Sequence, residues 1–575
     1  ICHRSEMGQG IRTSLAMVLA DELEADWSRV GVEQAVGDEK TYGSQDTDGS
    51  QSIRGFLLPF RRAGAVARAL LERAAAKQWG VPAAEVTARF HEVVHQPTGR
   101  TLPFGQLVAI ARGLPVPDGA TLPLKAPAAF RYMGKEIPIV DLFDMTTGRA
   151  RYGFDQALPG MLVAVIARPP VWGAEVASLD SSAAERVPGV ERIVRLPTAK
   201  PPSGFAPLGG VAVVARDTWA ALEGRRQLHI TWGNHPNETY DSEQYRGELE
   251  RTARQPGKVA RRQGDVSAAL VRAPRRLEAD YYIPHLSHAM MEPPAALAWV
   301  TSDGCEIWAP TQGPQLARNM AAKALDIPVE RVTVHVTLLG GGFGRKSKPD
   351  YSTEAALLSR EVDAPVKLVW TRDDDLRHDY YHTVAVEHLE GALDAEGRVT
   401  AWLHRSVLPS IGATFAPDVT YQSDGEMSQG LVDLPFDIPN LQAEAGPATS
   451  HTRIGWYRSV INIPHAFAVG SFVDELAHAA GKDPRDFLLA LLGPDRQVDL
   501  GAAGLTVKAD NYGESFAQYP IDTARFKRVI RLAADSAGWG GALPAGRGRG
   551  IAVHRSFVTY VAAVVEVEVG RDGSV

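Results

Sequence analysis

The chain has 575 residues, of which 61 are basic and 68 acidic for a formal charge of −7, with 45% hydrophobic and 22% charged residues. That length exceeds one compact core and predicts two to four domains, and a slightly acidic balance without a basic run or basic–aromatic stripe excludes a nucleic-acid surface. Two cysteines, Cys2 and Cys305, without any C-x-x-C partner exclude a disulfide framework, a Cys-rich zinc site and a resident iron–sulfur cluster, and no run of eighteen apolar residues is present to form a membrane span.

Residues 3–10 read HRSEMGQG, and Ile11, Leu15, Val18 and Leu19 follow at helical spacing. Gly8, Gln9 and Gly10 are therefore predicted at a helix N-terminus, where free N–H groups and the positive end of the dipole suit an anion or an oxo-metal group, although taken alone the motif reads first as a plain turn before a helix. The small polar stretch GSQDTDGSQSIRG, residues 43–55, precedes a helix predicted over 59–79, which Val81-Pro82 ends. From 137 to 232 short apolar runs alternate with Pro/Gly turns, with one helix expected near Asp217, the pattern of a small α+β domain. The polar stretch 234–265 reads as a linker. HAMMEPPAALAWV, from His288, leads into the strand before Thr311 and Gln312, and 314–325 reads as helix. His288 and Glu292 do not form a metal pair on one helix, because Pro293-Pro294 breaks it.

In RVTVHVTLLGGGFGRKS, residues 331–347, Val332, Val334 and Val336 alternate with polar residues as a strand would, and the strand runs into Gly340, Gly341, Gly342, Phe343 and Gly344. Glycines in succession serve a left-handed backbone or let a ligand lie against main-chain N–H groups; a tight turn without ligand is the alternative. A phosphate loop is excluded, since Arg345 stands where its second glycine is required, and the spacing is not that of a dinucleotide fingerprint. TRDDDLRHDYYH, residues 371–382, would make a metal site only if helical, and is expected to be a solvated loop with internal ion pairs. HTRIGWYRSVIN, residues 451–462, opens a helix that ends at Gly481. The final strand, 561–569, stops at an Arg571–Ser574 turn without a second strand, so the sequence is expected to be a fragment cut at both ends.

The pair Thr311-Gln312, followed by LGGGFGRK, together with EMGQG, resembles the large subunit of the molybdenum hydroxylases, the xanthine dehydrogenase/aldehyde oxidase family; GFGRK is most similar to the isoquinoline 1-oxidoreductase β-subunit branch. The resemblance implies an α+β, multidomain fold with molybdopterin-binding domains and an inserted hammerhead domain. The expected segments are 1–132 with the EMGQG loop in permuted order, 133–235 as the hammerhead, carrying TGRARY and LPGML, and 236–575 as the GGGFG domain, truncated at its C-terminus. It implies cofactor contacts from Gln9 and Gly10, from Gly49 and Ser50 (where Asp48 departs from the family pattern), from Gln312 to a molybdenum oxo group, from Gly341, Gly342, Phe343 and Gly344, and from Arg458 in WYRSV. Ser459 and Val460 replace a glycine and a purine-stacking phenylalanine, and Ser347 stands where purine oxidisers keep a glutamate, which disfavours a xanthine-like substrate.

The implied cofactor is molybdopterin, in its cytosine dinucleotide form, whose dithiolene holds molybdenum without protein metal ligands. The implied partner is a small iron–sulfur subunit, with electrons passing to a cytochrome or another acceptor; the implied reaction oxidises an aldehyde or N-heteroaromatic ring with water as the oxygen source. That chemistry needs a carboxylate base, which the family keeps in a Gly-Glu-Pro motif near the C-terminus. No such motif occurs between 1 and 575, so no catalytic residue is assigned and this fragment alone is expected to be inactive. Two alternatives stay open: a non-catalytic cofactor-binding or assembly homologue, and a nucleotide-dependent enzyme using the glycine loop.

Overall fold

The helix predicted after Gly10 forms over Ile11–Leu23 and packs Ile11, Leu15 and Val18 inward. It lies along Leu57–Trp79, whose Gly64 lets Leu19 and Glu22 approach closely, while Ala74, Ala75 and Ala76 pack against a small three-stranded sheet and the helix Phe104–Arg112, which complete this N-terminal layer. The computed structural model describes residues 1–575.

Two larger sheets carry the rest of the chain, which realises the α+β expectation. A seven-stranded mixed sheet runs in the order Val332–Val336, Gly304–Ala309, Ala295–Thr301, Val366–Val369, Leu162–Ala167, Gly210–Ala215, Val190–Leu196. The helices Pro314–Leu325 and Asp350–Val362 bury Ala317, Ala321, Ala355 and Leu358 against one face, while Thr218–Arg226, capped by Asp217 as expected, covers part of the other. Three of these strands come from 162–215. The region read as a small separate domain is thus not self-contained: its strands complete a sheet begun by 295–369, and the boundary set at 235/236 cuts through one shared core. Sequence patterning could not show this, because it ranks local runs and is blind to which run pairs with which.

The second sheet has five strands in the order Arg275–Ile283, Ala385–Leu393, Val399–Val407, Asn440–Gly446, Lys258–Gln263. Its strand Ala385–Leu393 is buried at every position, sandwiched between Asn462–Ala479 on one side and Ser242–Ala253 with Val266–Arg272 on the other. The expected linker at 234–265 is accordingly a correction. It holds the helix Ser242–Ala253, started by Asp241 accepting from Glu243 and Gln244, and the edge strand Lys258–Gln263. The C-terminal strand Thr559–Glu568 pairs with Arg547–Ser556 and packs on Thr523–Ser536.

Candidate functional site

Four segments far apart in sequence are tied together by hydrogen bonds at the ends of the strands Gly304–Ala309 and Val332–Val336. Ser5 N–H donates to Thr47 Oγ1 (2.8 Å) and Ser5 Oγ to Thr311 O (2.8 Å); Leu339 N–H donates to Glu6 O (2.9 Å). Gln312, 2% exposed, sits at the crossing. Its Nε2 donates to Thr47 O (2.9 Å), its Oε1 accepts from Gly344 N–H (3.0 Å), and its own N–H donates to Lys346 O (2.9 Å). The side chain expected to face a molybdenum oxo group thus clamps the glycine loop to the 47–50 loop. A Cβ on Gly342 would stand 2.5 Å from Gln312 Oε1 and 3.1 Å from Met7 Sδ, so only glycine permits the crossing.

The loop itself is left-handed at Gly341 (φ 89°), Phe343 (φ 52°) and Gly344 (φ 102°), and Phe343 is 39% exposed. Gly340 N–H donates to Glu292 Oε2, but the N–H groups of Gly341, Gly342 and Phe343 donate to no protein acceptor. Three successive open N–H groups beside an exposed aromatic form a cradle for an anionic or oxo-bearing ligand, which is where the residues present fit a pterin group. Gly49 and Ser50, both at φ 54°, form a second left-handed step beside Thr47, and their N–H groups also have no protein acceptor.

The EMGQG loop departs from its expectation. Glu6 takes Gly8 N–H and Gly10 N–H on Oε1 (2.9 Å each) and Arg12 N–H on Oε2 (3.1 Å). The anion at this helix N-terminus is therefore the chain's own carboxylate, and Gly10 serves the turn with its N–H already spent. Gln9 is exposed but folds back: its Oε1 accepts from Met7 N–H (2.8 Å) and its Nε2 donates to Ser5 O (3.0 Å).

Beneath the glycine loop lies a buried ionic network that the sequence reading missed. Lys346 Nζ meets Glu292 at 2.6 Å; Arg345 pairs with Asp350 (2.8 Å) and Asp379 (3.1 Å); Asp379 also takes His288 Nδ1 at 2.9 Å. Burial alone would raise the Asp379 carboxyl, but His288 and Arg345 overcome it and hold it well below the usual carboxylate range. Lys348 donates to Gly344 O and Trp456 O, and burial, with Arg345 nearby, pushes its ammonium down to about 7. Segment 371–382 is thus no solvated loop: Asp374, Asp375, Asp379 and His382 are all buried, the His288 ring is hydrogen-bonded to Asp379, and Glu292 serves an ion pair with Lys346. No group of three potential ligands is placed to hold a metal ion. The missed signal was the co-occurrence of Arg345 with an acid-rich segment, since buried charges come in pairs.

Trp456 closes the arrangement. Its carbonyl accepts from His288 Nε2 (3.2 Å) and lies where a Gly344 Cβ would be, 1.7 Å away. Its ring, with Phe205 and Phe415 at centroid distances of 6.3 and 5.4 Å, presents an exposed aromatic group beside the loop. Arg458 is exposed and makes no ion pair; Ser347 Oγ is spent on Gly344 O (2.7 Å). The carboxylates Glu6, Glu292, Asp350 and Asp379 around the loops are all engaged.

Residues 251–489 and 2–143 match two families, each described as a molybdopterin cofactor-binding domain. The beta chain of isoquinoline 1-oxidoreductase from Brevundimonas diminuta is 30% identical over 548 residues, 86% of this chain and 68% of that one. A nicotinate dehydrogenase subunit of Pseudomonas putida is 30% identical over 86% of this chain but only 42% of its own length. Among solved structures, aldehyde oxidoreductase from Desulfovibrio gigas (TM-score 0.56, 18% identity, 78% of this chain, 52% of that chain) and quinoline 2-oxidoreductase from Pseudomonas putida 86 (TM-score 0.53, 20% identity, 72% and 56%) share the fold. The chain spans about half the length of those two structures.

Proposed function

Since this chain belongs to the xanthine dehydrogenase/aldehyde oxidase family of molybdenum hydroxylases, as a molybdopterin-binding large subunit of the isoquinoline 1-oxidoreductase type, we propose that it forms the cofactor-binding part of an oxidoreductase acting on an aldehyde or N-heteroaromatic ring. Water is the oxygen source in this reading, and electrons leave to a small iron–sulfur subunit and then to a cytochrome or another acceptor. The chain's two cysteines support a partner for the clusters, being 2–3% exposed and 303 positions apart in sequence (305 minus 2).

The observation that carries the reading is the interlock of Ser5, Thr47, Gln312 and Gly344 around three open N–H groups. A molybdopterin there, in its cytosine dinucleotide form, supplies two-electron redox chemistry when bound. The residues that would hold it are Gly341, Gly342 and Phe343 through their backbone, Gly49 and Ser50 through theirs, Gln312, Gln9 and Arg458 through side chains, with Gly10 and Gly344 shaping the loops. The chain's own work is to hold these donors rigid, which the ionic network does, and to exclude water from one side with Phe343, Trp456, Phe415 and Phe205. That aromatic wall, with Val460 and Ser347 in place of purine-binding groups, favours a flat apolar substrate over a purine. The assignment of 133–235 to a hammerhead belongs to the same proposal, as an insertion whose strands complete the seven-stranded sheet and not as a separate module. The test is molybdenum and pterin content of the full-length gene product purified with its small subunit. Near-stoichiometric molybdenum supports the reading; its absence from matured protein overturns it, and molybdenum without turnover would favour the non-catalytic cofactor-binding alternative.

A further inference from the structure

The turn after Arg458 has two consecutive left-handed residues, Ser459 at φ 74° and Val460 at φ 52°. A β-branched residue there is an outlier, because both Cγ groups crowd the backbone, and such a conformation persists only where its surroundings over-determine it. Those surroundings can be named. Val460 N–H closes the turn on Tyr457 O (2.6 Å), His382 Nε2 lies 3.3 Å from Val460 O, Ile461 N–H donates to Gln429 Oε1 (3.1 Å), and Asn462 donates to Ser459 O through Nδ2 (2.9 Å). The Val460 side chain is 8% exposed, packed with Ile283, Leu408, Ile411 and Ile454.

The consequence is directional. The chain enters this turn from Trp456, whose carbonyl occupies the space over Gly344 and accepts from His288 and Lys348, and it leaves Arg458 exposed and unpaired. A relaxed valine would rotate the Tyr457–Val460 peptides and swing Trp456 and Arg458 together, since only Tyr457 and the turn separate them from the anchor. We infer that Val460 is a positioning residue: its side chain, fixed in the apolar cluster, holds the strained turn that seats the Trp456 carbonyl on the glycine loop and sets the direction of Arg458. The binding role of Arg458 rests on the function proposed above; the rigidity of the turn does not.

The experiment compares wild type, Val460→Gly and Val460→Ile in the full chain purified with its partner. Glycine accepts φ 52° freely but has no anchor, whereas isoleucine keeps the β-branch and the packing. The expected result for Val460→Gly is amide exchange of 457–462 faster by about tenfold, trypsin cleavage after Arg458, and molybdenum content and kcat/KM lower by a similar factor, with the global melting transition kept. Val460→Ile should restore all four. Should Val460→Gly fail to fold, Val460→Ala, which keeps the strain and shortens the anchor, takes its place with the same readouts. Wild-type exchange and wild-type trypsin resistance in the glycine variant would overturn the inference. Faster exchange with unchanged molybdenum content and KM would also overturn it, leaving the turn a structural feature only. If wild type holds no molybdenum, the proposed function fails, and exchange with trypsin cleavage still decides whether Val460 fixes the turn.

Discussion

Replacing Gly344 by alanine is the sharpest perturbation the structure offers. Its backbone, at φ 102° and ψ −19°, lies in the left-handed region, which costs an L-residue about 1–2 kcal/mol. The added Cβ would stand 1.7 Å from Trp456 O and 3.5 Å from His288 Nε2, and the near atom is backbone, so the 456–460 turn must move. Overpacking of that kind costs about 1–3 kcal/mol, and displacing the Trp456 carbonyl forfeits its bonds from His288 and Lys348 at about 0.5–1.5 kcal/mol each. The combined cost is about 3–8 kcal/mol, comparable with a whole domain's stability, so the two loops will separate locally before the sheets unfold. Gly8→Ala is the control: its φ of 104° is equally left-handed, but nothing lies within 4 Å of the new Cβ, so the cost stops at about 1–2 kcal/mol. Urea denaturation and amide exchange of residues 340–348 and 455–461 measure both. If the two alanine variants proved equal in stability and exchange, the Gly344–Trp456 contact would not be what joins the loops.

Gln312→Ala should cost about 1–3 kcal/mol through the stranded Thr47 carbonyl and Gly344 N–H, and should lower molybdenum content, measured by metal analysis of purified protein. Glu292→Leu leaves buried Lys346 unpaired and should cost about 3–5 kcal/mol; the double variant with Lys346→Met should recover part of this, which a double-mutant cycle in urea would show. Burial lowers His3, His382 and His465 to about 4 and His404 to about 3. Their folded values lie below the unfolded one, so their stabilising contribution is complete above about pH 6.5 and is lost as pH falls towards 4, by up to about 1.4 kcal/mol per pH unit for each histidine. Burial raises Glu387 to about 7, with the opposite sign: its contribution is complete below about pH 4.5 and lost as pH rises through 7. Urea midpoints across pH 4–8 should therefore fall steeply on the acid side, and Glu387→Gln should flatten the decline near neutrality.

What the sequence disclosed depended on how local the cause was. Gly341, Gly344 and Gly49 were legible because a left-handed backbone selects glycine at the position itself. The helices at Ile11–Leu23 and Pro314–Leu325 were legible from spacing. Glu387, His388 and Glu390 lie in a strand buried throughout, so AVEHLEGAL has no apolar pattern to read; their partners His404, Ser406 and Asp280 sit on neighbouring strands. TRDDDLRHDYYH looked solvated for the same reason: the cations that neutralise Asp374, Asp375 and Asp379 are Arg225, Arg372 and Arg345, of which only Arg372 lies within the segment. A buried charge and an exposed one are identical in sequence until the partner is known.

The two glycine loops, alike as strings, differ in what they leave free, and the difference bears on where charge can be received. At Gly8–Gly10 the positive end of the Ile11–Leu23 helix is neutralised by Glu6, so an anionic group brought there meets a carboxylate whose acceptors are already filled. At Gly341–Phe343 the N–H groups are open, and Glu292, beside Gly340, faces inward onto Lys346 and the Gly340 N–H. An anionic group would therefore meet open N–H donors at the GGGFG loop and an already occupied helix N-terminus at EMGQG. The sheet termini fix the two loops side by side, through Leu339 on Glu6, so this difference between them is built into the fold.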